Sequence, residues 1–277
     1  MEMLLLETTV ISFCNQKGGV GKTSTTALVS YNLAKKGYKC LTIDFDPQAN
    51  LTSLFMKTQS KSDSSEEVVS VKTTLMTAIK DDMDLNDVKI PIIKNLDLIP
   101  NAPDFYLYDR YLENHFQKEE DRVKFFSKKI DKELRGKYDF IFIDVPPTFG
   151  LSNDTAFYAC NQLVIVLQTQ QRALDGADAL IEYIQSQIID TYGSPVDVLG
   201  ILPVLSERNA RVDREILRRA IKKFGDENVF KNHILIMARV KRMDITGITD
   251  RKADIWDRKT HKAFEGVGNE IVERLGK

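Results

Sequence analysis

The stretch "NQKGGVGKTS", Asn15 to Ser24, decides how the rest of the chain is read. A phosphate-binding loop is spelled glycine, four residues, then Gly-Lys-Ser/Thr. Gly21, Lys22 and Thr23 fit the end of that pattern. The position five before Gly21 is Gln16, however, and a second lysine, Lys17, stands where the loop begins. The loop follows an apolar run, Thr9–Cys14, and opens a helix-periodic segment, Lys22–Lys36. Gly18, Gly19 and Gly21 let the backbone curl so that successive N–H groups face phosphate oxygens. The helix beginning near Lys22 adds the positive end of its dipole. Val20 and Ser24 complete the cradle, Lys22 neutralises the outer phosphates, and the Thr23 hydroxyl holds Mg2+. A chance glycine-rich turn would not bring strand, glycines, Gly-Lys-Thr and helix in order.

Outward from the loop, short apolar runs alternate with helix-periodic segments. The strands predicted are Thr9–Cys14, Lys39–Phe45, Leu96–Pro100, Asp139–Val145, Leu163–Gln168, Val198–Val204 and Ile234–Met237. The helices predicted between and after them are Lys22–Lys36, Asp104–Phe116, Asp121–Arg135, Ala173–Thr191, Val212–Phe224 and His261–Leu275. Runs such as "FIFID" and "LVIVLQ" are continuously apolar, as strands buried on both faces of a parallel sheet are. The pattern specifies an α/β fold with a doubly wound, mostly parallel sheet, helices on both faces, and ligands at the carboxyl ends of the strands. The Ser-rich, charged stretch 57–74 reads as a flexible surface excursion, and no linker divides the chain, so 1–277 is taken as one domain.

The acidic partners of such a loop belong at neighbouring strand tips. "IDFDPQAN" supplies Asp44 and Asp46, and "FIFIDVPP" supplies Asp144 before two prolines that stop the strand. An aspartate after four apolar strand residues suits the Mg2+ shell of a phosphate site. By itself a strand-end aspartate more often starts a turn; beside this loop the metal role is favoured.

"KGGVGKT", "IDFDPQAN" and "IDVPP" together resemble the deviant Walker A P-loop ATPases, most closely the ParA/Soj family, which segregates plasmids and chromosomes. "NLDLIPNAPDF" and "VIVLQTQQRALDGADAL" extend the likeness over nearly the whole chain. The resemblance implies slow, Mg2+-dependent ATP hydrolysis in a dimer that sandwiches two ATP molecules. It implies that Lys17 reaches across the interface to the partner's nucleotide, as a trans-acting cation would. It assigns Asp46 to orienting the attacking water, Asp144 to holding Mg2+ and Asp44 to supporting the metal shell.

The composition is that of an ordinary globular protein, 43% hydrophobic and 29% charged. No apolar run approaches the length of a membrane span, and "MEMLLLETTV" lacks the basic region of a signal peptide. A cytoplasmic protein is expected. Cys14, Cys40 and Cys160 lie in apolar runs without metal-ligand spacing and read as buried small hydrophobes. The net charge of −1 hides an asymmetry. Residues 201–277 hold 18 Lys plus Arg against 12 Asp plus Glu, and the remainder 21 against 28.

That basic quarter bears on the choice among relatives. An Fe–S role needs paired cysteines, which are absent. A MinD-like membrane ATPase needs a basic amphipathic C-terminal helix, whereas "HKAFEGVGNEIVERLGK" carries three glutamates and reads as a helix packed on the sheet. A ligase of the dethiobiotin-synthetase type would need a second-substrate motif, and none is evident. In "RNARVDREILRRAIKKF", Arg211, Arg214, Arg218 and Lys222 recur at helical spacing opposite Val212, Ile216, Leu217, Ala220, Ile221 and Phe224. Such a stripe grips phosphates without reading bases; on spacing alone a solvated basic face is as good a reading. Arg239-Val-Lys241-Arg242 forms a second cluster, and the resemblance places non-specific DNA contacts in both regions, Arg242 included. About nine residues precede the first strand, too few for a helix-turn-helix domain. The resemblance therefore implies a nucleoid-associated homodimer, non-specific double-stranded DNA, no membrane, and a separate ParB-like centromere-binding partner.

Overall fold

The computed structural model describes residues 7–62, 71–207 and 210–277. The apolar start of the chain, read above for a signal peptide, lies mostly outside them, as does the middle of the 57–74 stretch.

In chain order the elements are β1 (Thr9–Cys14), α1 (Lys22–Lys36), β2 (Cys40–Asp44), α2 (Asn50–Ser62), α3 (Leu75–Lys80), α4 (Leu85–Val88), β3 (Ile90–Ile93) and β4 (Leu96–Ile99). A 3-10 turn at Pro103–Leu107 leads into α5 (Tyr108–His115), α6 (Glu119–Glu133), β5 (Phe140–Asp144), α7 (Leu151–Ala159), β6 (Gln162–Gln168) and α8 (Gln171–Tyr183). Then come β7 (Asp197–Ser206), α9 (Arg211–Phe224), β8 (Ile234–Leu235), α10 (Ala238–Thr246) and α11 (Ile255–Arg274). The strands form one eight-stranded sheet in the order β3-β4-β2-β5-β1-β6-β7-β8. Every neighbouring pair is parallel except β3–β4.

Two apolar clusters, one on each face, sandwich the sheet. Alternation along β1 divides its residues between them: Val10 and Cys14 on one side, Ile11 and Phe13 on the other. The same holds for β5, where Ile141 and Ile143 oppose Phe140 and Phe142, all fully buried. This two-sided burial is why these strands read as unbroken apolar runs. The chain first builds outward from β1 through β2 and β4, returns to place β5 beside β1, and then continues on the other side with β6. The reversal opens a crevice at the carboxyl ends of β1, β2 and β5.

Several expectations change in detail. Residues 57–62 continue α2, and Thr74 caps α3 by accepting a hydrogen bond from Thr77 N, so both ends of the supposed excursion are structured. The helix expected at Ala173–Thr191 is α8 followed by π-helical winding over Ile184–Thr191. Its buried residues Leu174, Ala177, Leu180, Ile184 and Ile188 widen from steps of three to steps of four, which the wider turn accommodates. The last strand shrinks to Ile234–Leu235, because Met237 caps α10. Strand β3 was missed: it is an edge strand containing Pro91, short and half-exposed.

Candidate nucleotide site

The loop between β1 and α1 is tied down at its start. Asn15, buried, accepts from Lys17 N through Oδ1 at 2.7 Å and donates through Nδ2 to the Val166 carbonyl of β6. Gln16, in place of the usual first glycine, directs its amide inward, where it and Asn153 of α7 line a small cavity of about 10 Å3. Gly19 and Gly21 take φ of +73° and +88°, where an L side chain costs about 1–2 kcal/mol. Gly21 leads directly into α1, whose first turn has no side-chain cap. Its opening N–H groups are therefore available to an anion.

The two loop lysines have opposite fates. Lys22 is only 6% exposed, and its ammonium lies 3.4 Å from the Lys17 carbonyl. Burial lowers its pKa below the ordinary lysine value, with Asp144 the leading charge opposing that fall. Lys17 is exposed, and its ammonium donates to Gln168 Oε1 at 2.9 Å and Gln170 Oε1 at 2.8 Å, at and just past the end of β6. It has no carboxylate partner among the described residues. Lys22 serves the cavity of its own chain, and Lys17 stands on the surface, held by two neutral amides.

The three aspartates are also distinguished. Asp44 and Asp144 are register partners on β2 and β5, both fully buried. Asp44 Oδ2 accepts from Thr52 N at 2.8 Å and Thr52 Oγ1 at 2.7 Å, and Oδ1 from Asp46 N at 3.2 Å. Burial pushes its pKa up to about 6 against those hydrogen bonds. Asp144 is pushed up to about 8, by burial first and then by Asp44, with the neighbouring Thr23 hydroxyl opposing. Its Oδ2 is buried with no hydrogen-bond partner. Asp46, 8% exposed, accepts from Gln48 N at 2.9 Å and holds Asn101 Nδ2 on its carbonyl at 3.3 Å. The aromatic rings of Phe45, Phe105, Tyr108 and Phe126 pack behind this turn.

Beside them lies an open cavity of about 540 Å3, lined by the loop from Gly18 through Val20, Gly21, Lys22 and Thr23 to Ser24, with Asp46 and Pro147 opposite. A second cleft of about 170 Å3 adjoins the loop at Gly19 and Ser24 and is walled by Val204, Ile236, Met237 and Val240. No group of three or more His, Cys, Asp or Glu among the described residues is arranged to hold a metal unaided. The unpartnered Asp144 oxygen beside Thr23 does fit a small hard cation that takes its remaining ligands from phosphate and water. Asp44 fits that shell less well. Its oxygens are engaged by Thr52 and Asp46, so it fixes the Asp46 turn and the start of α2, and its expected place in the metal shell becomes an indirect one.

Of the basic residues, Arg211, Arg214, Arg218 and Lys222 are all exposed on α9, with Ile216 and Ala220 buried on the opposite side. Val212, expected on the apolar face, is 66% exposed. Arg218 and Arg219 both pair with Glu215, and Lys223 pairs with Asp178. Arg242 is exposed on α10. Arg239 turns inward instead, pairing with Asp254 and the fully buried Asp257. Burial disfavours the ionised Asp257, and hydrogen bonds from Arg239, Arg251 N and Thr249 more than offset this, holding its pKa below the usual range.

Thr52, Asn101, Gln168 and Gln170, which position the acids and Lys17, are not evident as site residues from sequence. Their polar side chains carry no motif of their own; the signal lies in their place at or shortly after strand ends, with Thr52 in the first turn of α2.

The fold and site define a P-loop nucleotide-binding protein of the deviant Walker A kind. Residues 8–196 match the AAA domain family (AAA_31), and the chain belongs to that family. Among its relatives is the chromosome-partitioning ATPase Soj of Treponema pallidum (strain Nichols), 28% identical over 265 residues, or 95% of this chain and 97% of the relative. Its likeness is of the ParA/Soj type. In fold it matches a McdA–ATP complex from Cyanothece, with a TM-score of 0.77, 22% identity, and coverage of 98% of this chain and 97% of that one. It matches cobyrinic acid a,c-diamide synthase from Mycobacterium smegmatis, solved with an ATP analogue and magnesium, at a TM-score of 0.76 and 21% identity, over 95% and 93% of the two chains. No described helix is long and apolar enough to cross a membrane.

Proposed function

We propose that this chain is a DNA-partition ATPase whose ATP-bound homodimer binds double-stranded DNA non-specifically and releases it on slow hydrolysis. The observation that carries the reading is the division of labour between the loop lysines. Lys22 faces the phosphates of its own site, while Lys17 stands exposed on Gln168 and Gln170, ready to leave them for a stronger anionic partner. A nucleotide in a second copy supplies that partner, which makes dimerisation depend on bound triphosphate.

ATP lies with its phosphates on the Gly18–Ser24 loop and its base in the apolar cleft between Gly19 and Met237. Thr23 and Asp144 would hold Mg2+, which when bound would supply screening of the phosphate charge. The orphaned, buried Asp144 oxygen beside Thr23 is suited to that task. Asp46, fixed by Gln48 and Asn101, orients water toward the terminal phosphate, while Asp44 holds the turn. Release from DNA is governed by a ParB-like centromere-binding protein that speeds hydrolysis, as the likeness to Soj supports.

A membrane role of the MinD kind has less support. The apolar residues of α11, Phe264, Val267 and Ile271, are buried in the fold, so the last helix offers little apolar face to a bilayer. ATP turnover measured with and without duplex DNA and the partner encoded alongside tests the reading. Stimulation by both together supports it; turnover indifferent to both overturns it.

A further inference from the structure

Between Asp250 and Lys262 the acids and the bases are used differently. Asp250 pairs with Lys35, and Asp254 and Asp257 pair with Arg239. The five cations of the same stretch, Arg251, Lys252, Arg258, Lys259 and Lys262, are all exposed and have no ion-pair partner among the described residues. Among them stands Trp256, 63% exposed, with the Lys259 ammonium 5.1 Å from its ring centre. On α9, by contrast, Glu215 and Asp178 already occupy Arg218, Arg219 and Lys223.

Arg258 and Lys262 lie four residues apart on α11, and Lys259 and Lys262 three apart, so they are helical neighbours about 5–6 Å apart at Cβ. That is within the Debye length of about 8 Å at physiological salt, and their mutual repulsion is only partly screened. A chain of phosphates relieves such repulsion, whereas one small anion meets only part of a surface spread over this stretch.

We propose that residues 251–262 form a phosphate-backbone contact surface for double-stranded DNA, distinct from the α9 stripe, with Trp256 covered when the duplex docks. The proposal rests on the DNA reading above and assigns it a second and less neutralised surface. A lipid surface fits less well, because an interfacial helix needs a broad apolar face. Here Ile255 and Trp256 are the exposed large apolar residues of α11, against Arg258, Lys259 and Lys262 on the helix and Arg251 and Lys252 just before it.

Trp256 is the only tryptophan in the chain, so its emission reports on this surface alone. The Asp46→Ala chain, loaded with ATP, is titrated with duplexes of unrelated sequence while emission and mobility shift are followed together. The same titration is run with phosphatidylserine vesicles, and with the variants Arg251→Glu/Lys259→Glu and Arg211→Glu. The expected result is a saturable change in Trp256 emission that tracks the mobility shift. The double variant should lose at least about tenfold in affinity and show a shallower salt dependence, with ATP binding unchanged. Wild-type DNA affinity in the double variant, with an unresponsive Trp256, would overturn the proposal and leave the DNA reading standing. A response to vesicles and none to duplex would overturn it in favour of a membrane. DNA binding by none of the chains would remove the DNA reading and the proposal together.

Discussion

Asp44 and Asp144 sit side by side in register on adjacent parallel strands, both fully buried, and neither has an ion-pair partner among the described residues. Two carboxylates so placed resist simultaneous ionisation. The pKa of Asp44 is pushed up to about 6 and that of Asp144 to about 8, in both cases by burial first.

The sign of the stability effect follows. Unfolded aspartates titrate near about 3.9, so between there and pH 8 the native chain holds more protons than the unfolded one. Stability of the ligand-free chain must then fall as pH rises. Its melting temperature should drop by several degrees between pH 5.5 and pH 8.5, and Asp144→Asn should flatten that decline. Mg-ATP should raise the melting temperature more at the upper pH. A ligand-free melting temperature that climbs over this range contradicts the assignment.

Lys22→Ala should abolish nucleotide binding, since it removes the buried cation of the cavity in which the phosphates are proposed to lie. Asp46→Ala should bind ATP as the parent does and lose at least about a hundredfold in turnover, the scale of general-base and water-positioning effects. Equilibrium binding with a fluorescent ATP analogue and single-turnover hydrolysis separate the two. Parental turnover in Asp46→Ala would take Asp46 out of the chemistry.

Lys17→Ala should bind ATP normally and dimerise at least about tenfold more weakly, because a charge-assisted contact is worth about 1.5–3 kcal/mol. Light scattering in the Asp46→Ala background reads this without interference from hydrolysis. A dimer as tight as the parent's would confine Lys17 to its own subunit.

Arg239→Ala should destabilise the fold without a specific role in DNA binding. It leaves Asp257 buried and uncompensated, which costs about 3–5 kcal/mol and should lower the melting temperature by roughly 6–15 °C for a domain of this size. Arg242→Ala, on an exposed side chain, should change the melting temperature little. Equal stability of the two variants would contradict the burial of the Arg239 ion pairs.

Much of this was legible in the sequence, for identifiable reasons. The strands β1 and β5 and the helix α1 announce themselves because burial on both sheet faces leaves unbroken apolar runs, and because the glycines and Gly-Lys-Thr have fixed spacing. Helices α2, α7 and α10 did not: α2 merges into a polar, Ser-rich stretch, α7 follows two prolines, and α10 resembles a charge cluster until Met243 and Arg239 are seen turned inward. Composition could not separate Arg239 from Arg242 either, since their difference depends on acids at 254 and 257 brought back by the fold. Nor could it show that Asp44 is held by Thr52, eight residues away.

The central claim is that ATP switches DNA binding on by assembling a dimer. It is tested most directly by the mobility shift of unrelated duplexes over a salt series, using the Asp46→Ala chain with and without ATP. Since the logarithm of affinity falls with the logarithm of salt in proportion to the phosphates contacted, two basic surfaces in one particle should steepen the slope. ATP should tighten binding at least about tenfold and bring the salt slope close to double, and Lys17→Ala should lose both effects. Equal binding with and without ATP, or no binding at low salt, would contradict it.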